Sequence, residues 1–227
     1  MKKVAIFIDW ENLRLDIHNI QRTHKERKNI TFNYNDVSNI SFLIKQFIDA
    51  NEEISKIFFY TALPLSEEEI NKELDRYKKK NPEIFKKFLE YKKDKSRSMK
   101  EIRQKIHYFI KHIAFEDYFA VRLGELKVSG FDDSGKPIIN QKQVDMLLGL
   151  DISHIAYEKL ADRVIIFCKD TDIIPALKCA RINGLEVIIA SIKEGYKIAD
   201  KLKKHSDRIR EKSLLDISNN LAQRTSQ

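Results

Sequence analysis

Four short runs of consecutive apolar residues, rich in Val, Ile and Phe, predict the strands of this protein. They span residues 4–8, 57–60, 164–167 and 187–190. Within each run the apolar residues are adjacent and do not alternate with polar ones, which is typical of strands covered on both faces. The pattern therefore predicts a parallel sheet with helices on either side.

Helical periodicity fills the segments between these runs. Apolar residues recur at helical spacing over residues 37–50 and over residues 144–160. A third helix is predicted over residues 171–182, where Pro175 lies in the first turns and Gly184 follows the last one. This alternation of strands and helices predicts a three-layer α/β/α sandwich with a mainly parallel central sheet and right-handed crossovers.

Residues 66–115 do not follow this alternation, because they show helical patterns with no strand between them. Residues 66–113 contain 15 Lys and Arg against 9 Asp and Glu, a net charge of +6 out of +8 for the whole chain. We predict a basic helical insertion that packs on the core. Its helices are predicted to break near Asn81 and Pro82 and again near residues 94–98.

The chain is therefore predicted to have three parts, which are a discontinuous core of residues 1–65 and 116–212, the insertion of residues 66–115, and a C-terminal helix or tail of residues 213–227. Strand character returns after the insertion, over residues 118–129. Residues 132–135, with the sequence DDSG, predict a hairpin turn after this strand.

Composition excludes several classes of protein. A chain of 227 residues that is 42% hydrophobic can bury a core, which excludes global disorder, and only six Gly and four Pro disfavour a turn-rich barrel. No apolar run approaches the ~18–20 residues of a membrane span. Cys168 and Cys179 show no Cys-x-x-Cys pattern and the six His show no ligand spacing, so neither disulfides nor zinc are expected. We predict a cytoplasmic protein that does not enter a membrane.

Candidate chemistry lies where the predicted strands end, since the carboxyl ends of parallel strands gather the functional loops of an α/β sheet. The first strand ends at Asp9 and Asn12 follows, while Asp170 and Asp172 follow a later strand. Asp145 lies in the first turn of the helix that precedes that later strand. Carboxylates gathered in this way repel one another unless a cation neutralises them, and hard oxygen ligands suit Mg²⁺ or Mn²⁺.

Each of these residues also has a structural interpretation. Asp9 alone is typical of a helix cap, and Asp145 alone would favour the helix dipole. Their combination at one edge favours a site. Glu11 is not assigned to it, and neither is Asp151, which lies roughly 240° around the helix from Asp145. Trp10 is assigned to packing rather than to base stacking.

Three segments resemble the signatures of the NYN-domain family of PIN-like proteins, and of its LabA-like group in particular. They are residues 7–13 (FIDWENL), 142–145 (KQVD) and 166–173 (IFCKDTDI). The family's corresponding patterns are Asp-x-x-Asn, Lys-x-Val-Asp and Ser-Gly-Asp-Ser-Asp-Phe. Residues 206–208 (SDR) are similar to its closing Ala-Asp-Arg-Phe segment. The resemblance covers residues 4–60 and about 120–210, with the motifs in the family's order.

This resemblance implies a PIN-like fold that carries a metal-dependent ribonuclease site. Carried over residue by residue, the implied acidic cluster consists of Asp9, Asp145, Asp170 and Asp172. Asn12 matches the companion amide, and Lys142 matches the family's lysine, for which we expect a phosphate contact or an ion pair. Cys168 and Lys169 replace the usual Ser-Gly, and Ile173 replaces Phe. The added charge of Lys169 either helps to hold a phosphate or crowds the metal.

These observations predict a divalent-metal-dependent endoribonuclease, in which a metal-bound water attacks the phosphodiester of RNA. A basic chain supplies affinity for phosphates. The lysines assigned to RNA are Lys142 and Lys169 at the site and Lys78, Lys79 and Lys80 in the insertion.

Two alternatives stay open. The first is a non-catalytic module on the same fold that binds RNA or protein, and a homodimer or a partner protein is possible in either case. The second is a phosphatase of the haloacid-dehalogenase type, which also begins with an Asp at the end of its first strand. That class normally needs Asp-x-Asp there, whereas this chain has Asp9-Trp10-Glu11.

Overall fold

The computed structural model describes residues 1–225, without the side chains of residues 77, 94–99 and 225. Residues 226 and 227 of the predicted C-terminal segment lie outside the described residues. The strands are, in chain order, β1 (Lys2–Asp9), β2 (Glu52–Ala62), β3 (Phe119–Phe131), β4 (Pro137–Lys142), β5 (Arg163–Phe167), β6 (Glu186–Ile192) and β7 (Arg208–Lys212). They form one sheet in the order β4-β3-β2-β1-β5-β6-β7, and neighbouring strands are parallel except β3 and β4.

Helices cover both faces of this sheet. They are α1 (Trp10–Thr23), α2 (Val37–Lys45), α3 (Glu67–Lys80), α4 (Pro82–Ile113), α5 (Val144–Tyr157), α6 (Ile174–Ile182), α7 (Asp200–Lys204) and α8 (Leu214–Thr225). One core lies between the sheet and α1, α2, the end of α4 and α8, and the other lies between the sheet and α5, α6 and α7. The predicted three-layer α/β/α sandwich with a mainly parallel sheet is therefore confirmed.

Strand β1 shows why the apolar runs are continuous. Val4, Ile6 and Ile8 belong to one core and Ala5 and Phe7 to the other, and each of the five is at most 1% exposed. A central parallel strand has no solvent-facing side, so polar residues enter only where it ends.

The insertion forms a helical pair with a small core of its own. Helix α3 begins at a reciprocal cap, in which the backbone N–H of Ser66 donates to Glu69 and the N–H of Glu69 donates to the Ser66 hydroxyl. Leu65, Ile70, Leu74, Phe88 and Phe131 are buried together, the last of these from the β3–β4 hairpin. The end of α4 instead packs into the main core.

Several sequence-predicted boundaries differ from the structure. The break near Asn81 and Pro82 is present, but α4 continues through residues 94–98, where a second break was predicted. Helix α2 ends at Lys45 rather than at residue 50. Beyond Lys45 the backbone hydrogen bonds span three residues instead of four, as in the bond from the Phe47 N–H to the Ile44 carbonyl.

The sequence pattern did not identify α1 or β7. Helix α1 is short of apolar residues because polar side chains occupy its outer face, and β7 is an edge strand whose residues are largely charged. Residues 132–135 do form the turn of the predicted hairpin between β3 and β4. Within the predicted C-terminal helix or tail, Leu214–Thr225 form helix α8.

Candidate functional site

The sheet order places a site at the carboxyl end of β1. From β1 the chain continues to β2 on one side, whereas β5 lies on the other side. This reversal of direction opens a crevice between the loops that follow β1 and β5, and ligands of open α/β sheets bind in such crevices.

Asp9 lies at the bottom of this crevice and is 6% exposed. It caps α1, because its Oδ1 accepts a hydrogen bond of 3.1 Å from the Asn12 backbone N–H. Burial raises the pKa of Asp9 to about 6, against the Asn12 hydrogen bond, and the carboxylates of Asp145, Glu11 and Asp170 raise it further. The cap interpretation is therefore correct, but it does not account for a carboxylate that is costly to ionise.

Asp145 reaches the same region through a tight connection. Strand β4 ends at Lys142, Gln143 has a left-handed φ of 72°, and α5 begins at Val144. The turn packs on Gly124 of β3, where any Cβ would lie 2.6 Å from the Val144 side chain. Asp145 is exposed, and partial desolvation raises the pKa of its carboxyl, as do the carboxylates of Asp170 and Asp172.

Asp170 and Asp172 follow β5, the strand next to β1. Asp170 is half-buried and its Oδ1 accepts a hydrogen bond of 2.9 Å from the Asp172 N–H, which starts a short 3-10 helix (Thr171–Ile173). Asp172 is exposed. Together with Asp9 and Asp145 these residues form four mutually repelling carboxylates, which we call the Asp cluster. The structure thus brings together the four carboxylates that the sequence singled out.

Asn12 joins α1 to the loop that carries two of these carboxylates. Its side-chain oxygen accepts a hydrogen bond of 3.2 Å from the backbone N–H of Lys169, the residue before Asp170. The amide therefore holds the loop after β5 against α1, which is a positioning role.

Lys169 points away from this cluster. Its ammonium donates to Asp16 Oδ2 at 2.5 Å and to the Tyr196 carbonyl at 2.6 Å. The positive charge of Lys169 is therefore already neutralised within the fold, and these contacts do not support its predicted phosphate role. They also remove the reason to expect Lys169 to crowd a metal.

Asp16 is a residue that the sequence reasoning missed. It is 2% exposed, and its Oδ1 also accepts a hydrogen bond of 2.7 Å from the Tyr196 N–H. Gly195 makes room for it, since any Cβ there would lie within 2.6 Å of the carboxylate. A signal was available, because Asp16 lies on the apolar stripe of α1 between Leu13 and Ile17.

Cys168 occupies the position beside Asp9. Its thiol is 1% exposed and lies 3.8 Å from Asp9 Oδ2, to which it is a weak donor. Burial raises the pKa of the Cys168 thiol well above its ordinary value, and the Asp9 carboxylate adds to this. The thiol therefore stays neutral beside the Asp cluster.

Three residues near the site have structural roles, as predicted. The Trp10 ring is 7% exposed and stacks on Phe109 with ring centroids 5.0 Å apart. Glu11 forms an ion pair of 2.6 Å with Arg14. Asp151 accepts hydrogen bonds from the Tyr60 hydroxyl at 2.7 Å and from Arg122 at 2.9 Å.

The predicted phosphate-binding lysines differ in their settings. Lys142 is exposed at the end of β4, two residues before the start of α5 and three before Asp145. Lys78, Lys79 and Lys80 form the last turn of α3, where positive charge favours the helix dipole, and the Lys78 ammonium lies 5.5 Å from the centre of the Phe85 ring. These features account for lysines at the end of α3 without any ligand. The role of Lys78, Lys79 and Lys80 in RNA binding stays a prediction.

The Asp cluster fits a divalent cation in its chemistry. Its donors are hard carboxylate oxygens, and the pKa values of Asp9 and Asp145 are raised by desolvation first and by the neighbouring carboxylates in addition. In the part of the chain that the structure describes, however, no three His, Cys, Asp or Glu side chains are drawn together closely enough to hold one ion. The oxygen donors are thus of the kind that a divalent metal prefers, but the side chains would have to move closer together to coordinate one ion.

A parallel α/β sandwich with an acidic centre at its topological switch point defines the class of this protein as PIN-like. The family model of the NYN domain matches residues 3–214, which is nearly the whole chain, and the protein belongs to that family. NYN domains are PIN-like and are generally nucleases that act on RNA. The match does not separate the LabA-like group from the rest of the family. No curated protein and no solved structure matches the chain.

The match and the described residues bear on two other expectations. A family match over residues 3–214 leaves no support for the phosphatase alternative. Among residues 1–225, no helix is long and apolar enough to cross a membrane.

Proposed function

We propose that this protein is a divalent-metal-dependent endoribonuclease that hydrolyses RNA phosphodiester bonds at the Asp cluster. The observation that carries the proposal is the setting of Asp9, a carboxylate 6% exposed whose pKa is raised to about 6 with Asp145 and Asp170 as neighbours. A buried anion among other anions is costly unless a cation or a proton joins it. Membership of the NYN family favours the cation.

Asp9, Asp145 and Asp170 would hold Mg²⁺ or Mn²⁺, with Asp172 as a further ligand or as the residue that orients the attacking water. A bound ion of this kind stabilises charge on the phosphodiester and lowers the pKa of a water so that it can attack phosphorus. Asn12 would keep the loop with Asp170 in place through its bond to the Lys169 backbone. Lys142, which is exposed and lies three residues before Asp145 in the chain, would contact a substrate phosphate.

The test is a cleavage assay with labelled RNA and single-stranded DNA in Mg²⁺, Mn²⁺ or EDTA. Asp9→Asn and Asp145→Asn are compared with Asp151→Asn, a matched change on α5 whose carboxylate is engaged by Tyr60 and Arg122. We expect the first two to lose about a hundredfold or more of the metal-dependent rate, since each removes several kcal/mol of charge stabilisation. Asp151→Asn should retain the wild-type rate within about twofold, because this side chain is bonded to Tyr60 and Arg122 rather than to the Asp cluster, and an asparagine oxygen can still accept a hydrogen bond there. Unchanged cleavage by Asp9→Asn would refute the proposal.

One observation favours a second candidate, a non-catalytic RNA-binding module. Among the described residues, no three His, Cys, Asp or Glu side chains are placed to hold one ion. This candidate predicts salt-sensitive RNA binding without turnover. Such binding would survive Asp9→Asn and fall when Lys78, Lys79 and Lys80 are changed together to Gln.

A further inference from the structure

A large groove lies between the insertion helix α4 and the core. Its volume is about 1280 Å³, and it is lined by residues of α1, the loop 33–35, the end of β2, α4 and the β3–β4 hairpin. We call it the insertion groove. Pockets for small molecules are commonly about 300–1,000 Å³. The insertion groove is therefore large enough for an extended ligand, and its lining includes Trp10, the residue after Asp9.

The α4 wall of this groove presents apolar and aromatic side chains to solvent. Ile102 is 55% exposed, Ile106 is 37% exposed and Tyr108 is 66% exposed. The Tyr108 ring is ordered by its own helix, since it lies 3.7 Å from the His112 ring between centroids. Contiguous exposed apolar surface in a concavity is typical of a binding site.

The facing walls carry side-chain amides. Asn33 and Asn35 line the groove from the core, and Asn140 and Gln141 line it from the hairpin. An amide donates and accepts hydrogen bonds at once, so this wall suits a ligand whose edges do both. Tyr34 lies between the two asparagines, with its hydroxyl 3.2 Å from His18 Nδ1.

The charge of α4 selects among ligands with flat apolar faces and polar edges. Residues 100–112 contain four Lys and Arg against one acidic residue. Within the groove Arg14 and Lys105 are balanced by Glu11 and Glu101, so the excess positive charge of α4 lies outside the groove's lining, on Lys100, Arg103 and Lys111. This charge favours a polyanion. Unpaired nucleobases combine flat faces, polar edges and attached phosphates, whereas a duplex hides its base faces and would leave the α4 wall uncovered.

We infer that the insertion groove binds single-stranded RNA, with bases stacked on Tyr108 of α4 and the strand continuing toward the Asp cluster. The choice of RNA as the polyanion rests on the proposed function. The observations that carry the inference are the exposed Tyr108 ring stacked on His112, the facing amides, the basic helix α4 and the presence in the groove's lining of Trp10, the residue after Asp9.

The test measures binding in EDTA, so that it does not depend on cleavage. A fluorescently labelled single-stranded RNA of mixed sequence and its duplex are titrated against wild type, Tyr108→Ala, Tyr108→Phe and Tyr157→Ala. Tyr157 is a matched control, because it is also 66% exposed and does not line the groove. We expect Tyr108→Ala to weaken single-strand binding by about tenfold, the usual effect of removing one stacked ring. Tyr108→Phe and Tyr157→Ala should bind as wild type does, and duplex should bind more weakly than single strands.

Four results would overturn the inference. These are wild-type affinity in Tyr108→Ala, an equal loss in Tyr157→Ala, an equal loss of duplex binding, and the absence of RNA binding by wild type at low salt, which would point to a protein ligand instead. The two proposals fail separately. Cleavage by Asp9→Asn with an intact Tyr108 effect would refute only the catalytic assignment, whereas metal-dependent cleavage with no Tyr108 effect would refute only the groove.

Discussion

Asp9 and Glu52 are both buried carboxylates on neighbouring strands, at opposite ends of the sheet, and their surroundings differ completely. Asp9 ends β1 and has other carboxylates around it, with a pKa raised to about 6. Glu52 begins β2 and accepts hydrogen bonds from Arg163 at 2.8 Å and from Arg210 at 2.7 and 2.9 Å. Burial alone would raise the pKa of Glu52, but these bonds, with one from the Asp49 N–H, lower it to about 2.

The difference shows at which end of the sheet the protein neutralises its buried charges with its own side chains. At the amino end every buried charge has a partner, since Arg163 also pairs with Glu186 at 2.6 Å and Arg210 with Asp49 at 2.9 Å. At the carboxyl end no Lys or Arg among the described side chains forms an ion pair with the Asp cluster, and the nearby ammonium of Lys169 is engaged by Asp16. The fold neutralises one buried carboxylate and leaves another among like charges, and the proposed metal site rests on this asymmetry.

Removing the charge of Glu52 should produce the largest loss of stability. Glu52→Gln leaves two buried guanidinium groups short of a partner, and we expect the free energy of unfolding at pH 7 to fall by about 3 kcal/mol. For a domain of this size this lowers the Tm by about 6–12 °C. Thermal unfolding measures it. Asp200→Asn, which removes an exposed pair with Lys203, is the control and should change the Tm by less than about 2 °C.

Removing the charge of Asp9 should have the opposite sign. Asparagine caps helices as well as aspartate does, and Asp9→Asn removes a carboxylate whose ionisation is unfavourable in the fold. We expect the free energy of unfolding to rise at pH 7 by at most about 3 kcal/mol, from a pKa of about 6 against an ordinary 3.8. A less stable Asp9→Asn protein would contradict this account of the site.

The same comparison fixes the pH dependence of both effects. The raised pKa of Asp9 destabilises the wild type fully above pH 6, and this penalty disappears as the pH falls from about 6 toward 3.8. The gain from Asp9→Asn should therefore vanish near pH 4. The lowered pKa of Glu52 stabilises the fold above about pH 4.5, and that contribution is lost as the pH falls toward 2. Urea unfolding of the wild type and both variants from pH 2 to 8 measures the two slopes.

Added metal should have the smallest effect on stability. It tests most directly whether Asp9, and not Glu52, belongs to a cation site. An ion that binds only the folded protein at ten times its Kd stabilises it by about 1.4 kcal/mol, or roughly 3–6 °C in Tm. We expect Mg²⁺ or Mn²⁺ to raise the Tm of the wild type and of Glu52→Gln by similar increments and to leave that of Asp9→Asn unchanged. Equal increments in all three proteins would place the bound ion away from the Asp cluster.

The sequence by itself determined the architecture and the location of the candidate site. Continuous apolar runs identified the central strands because a buried parallel strand excludes polar residues until its end. The residues just beyond those ends, Asp9 and Asp170, were visible for the same reason, and the order of the motifs indicated the family that the match to residues 3–214 confirms.

Only the tertiary structure decided how the charges are partnered. Lys169 stands beside Asp170 in the chain, yet its ammonium binds Asp16, 153 positions away, and Glu52 binds Arg163 and Arg210 across the sheet. Local patterns report periodicity and the ends of elements, because these depend on neighbouring residues. The direction of a long charged side chain depends on which distant group the fold brings within 3 Å, and only the packed chain determines that.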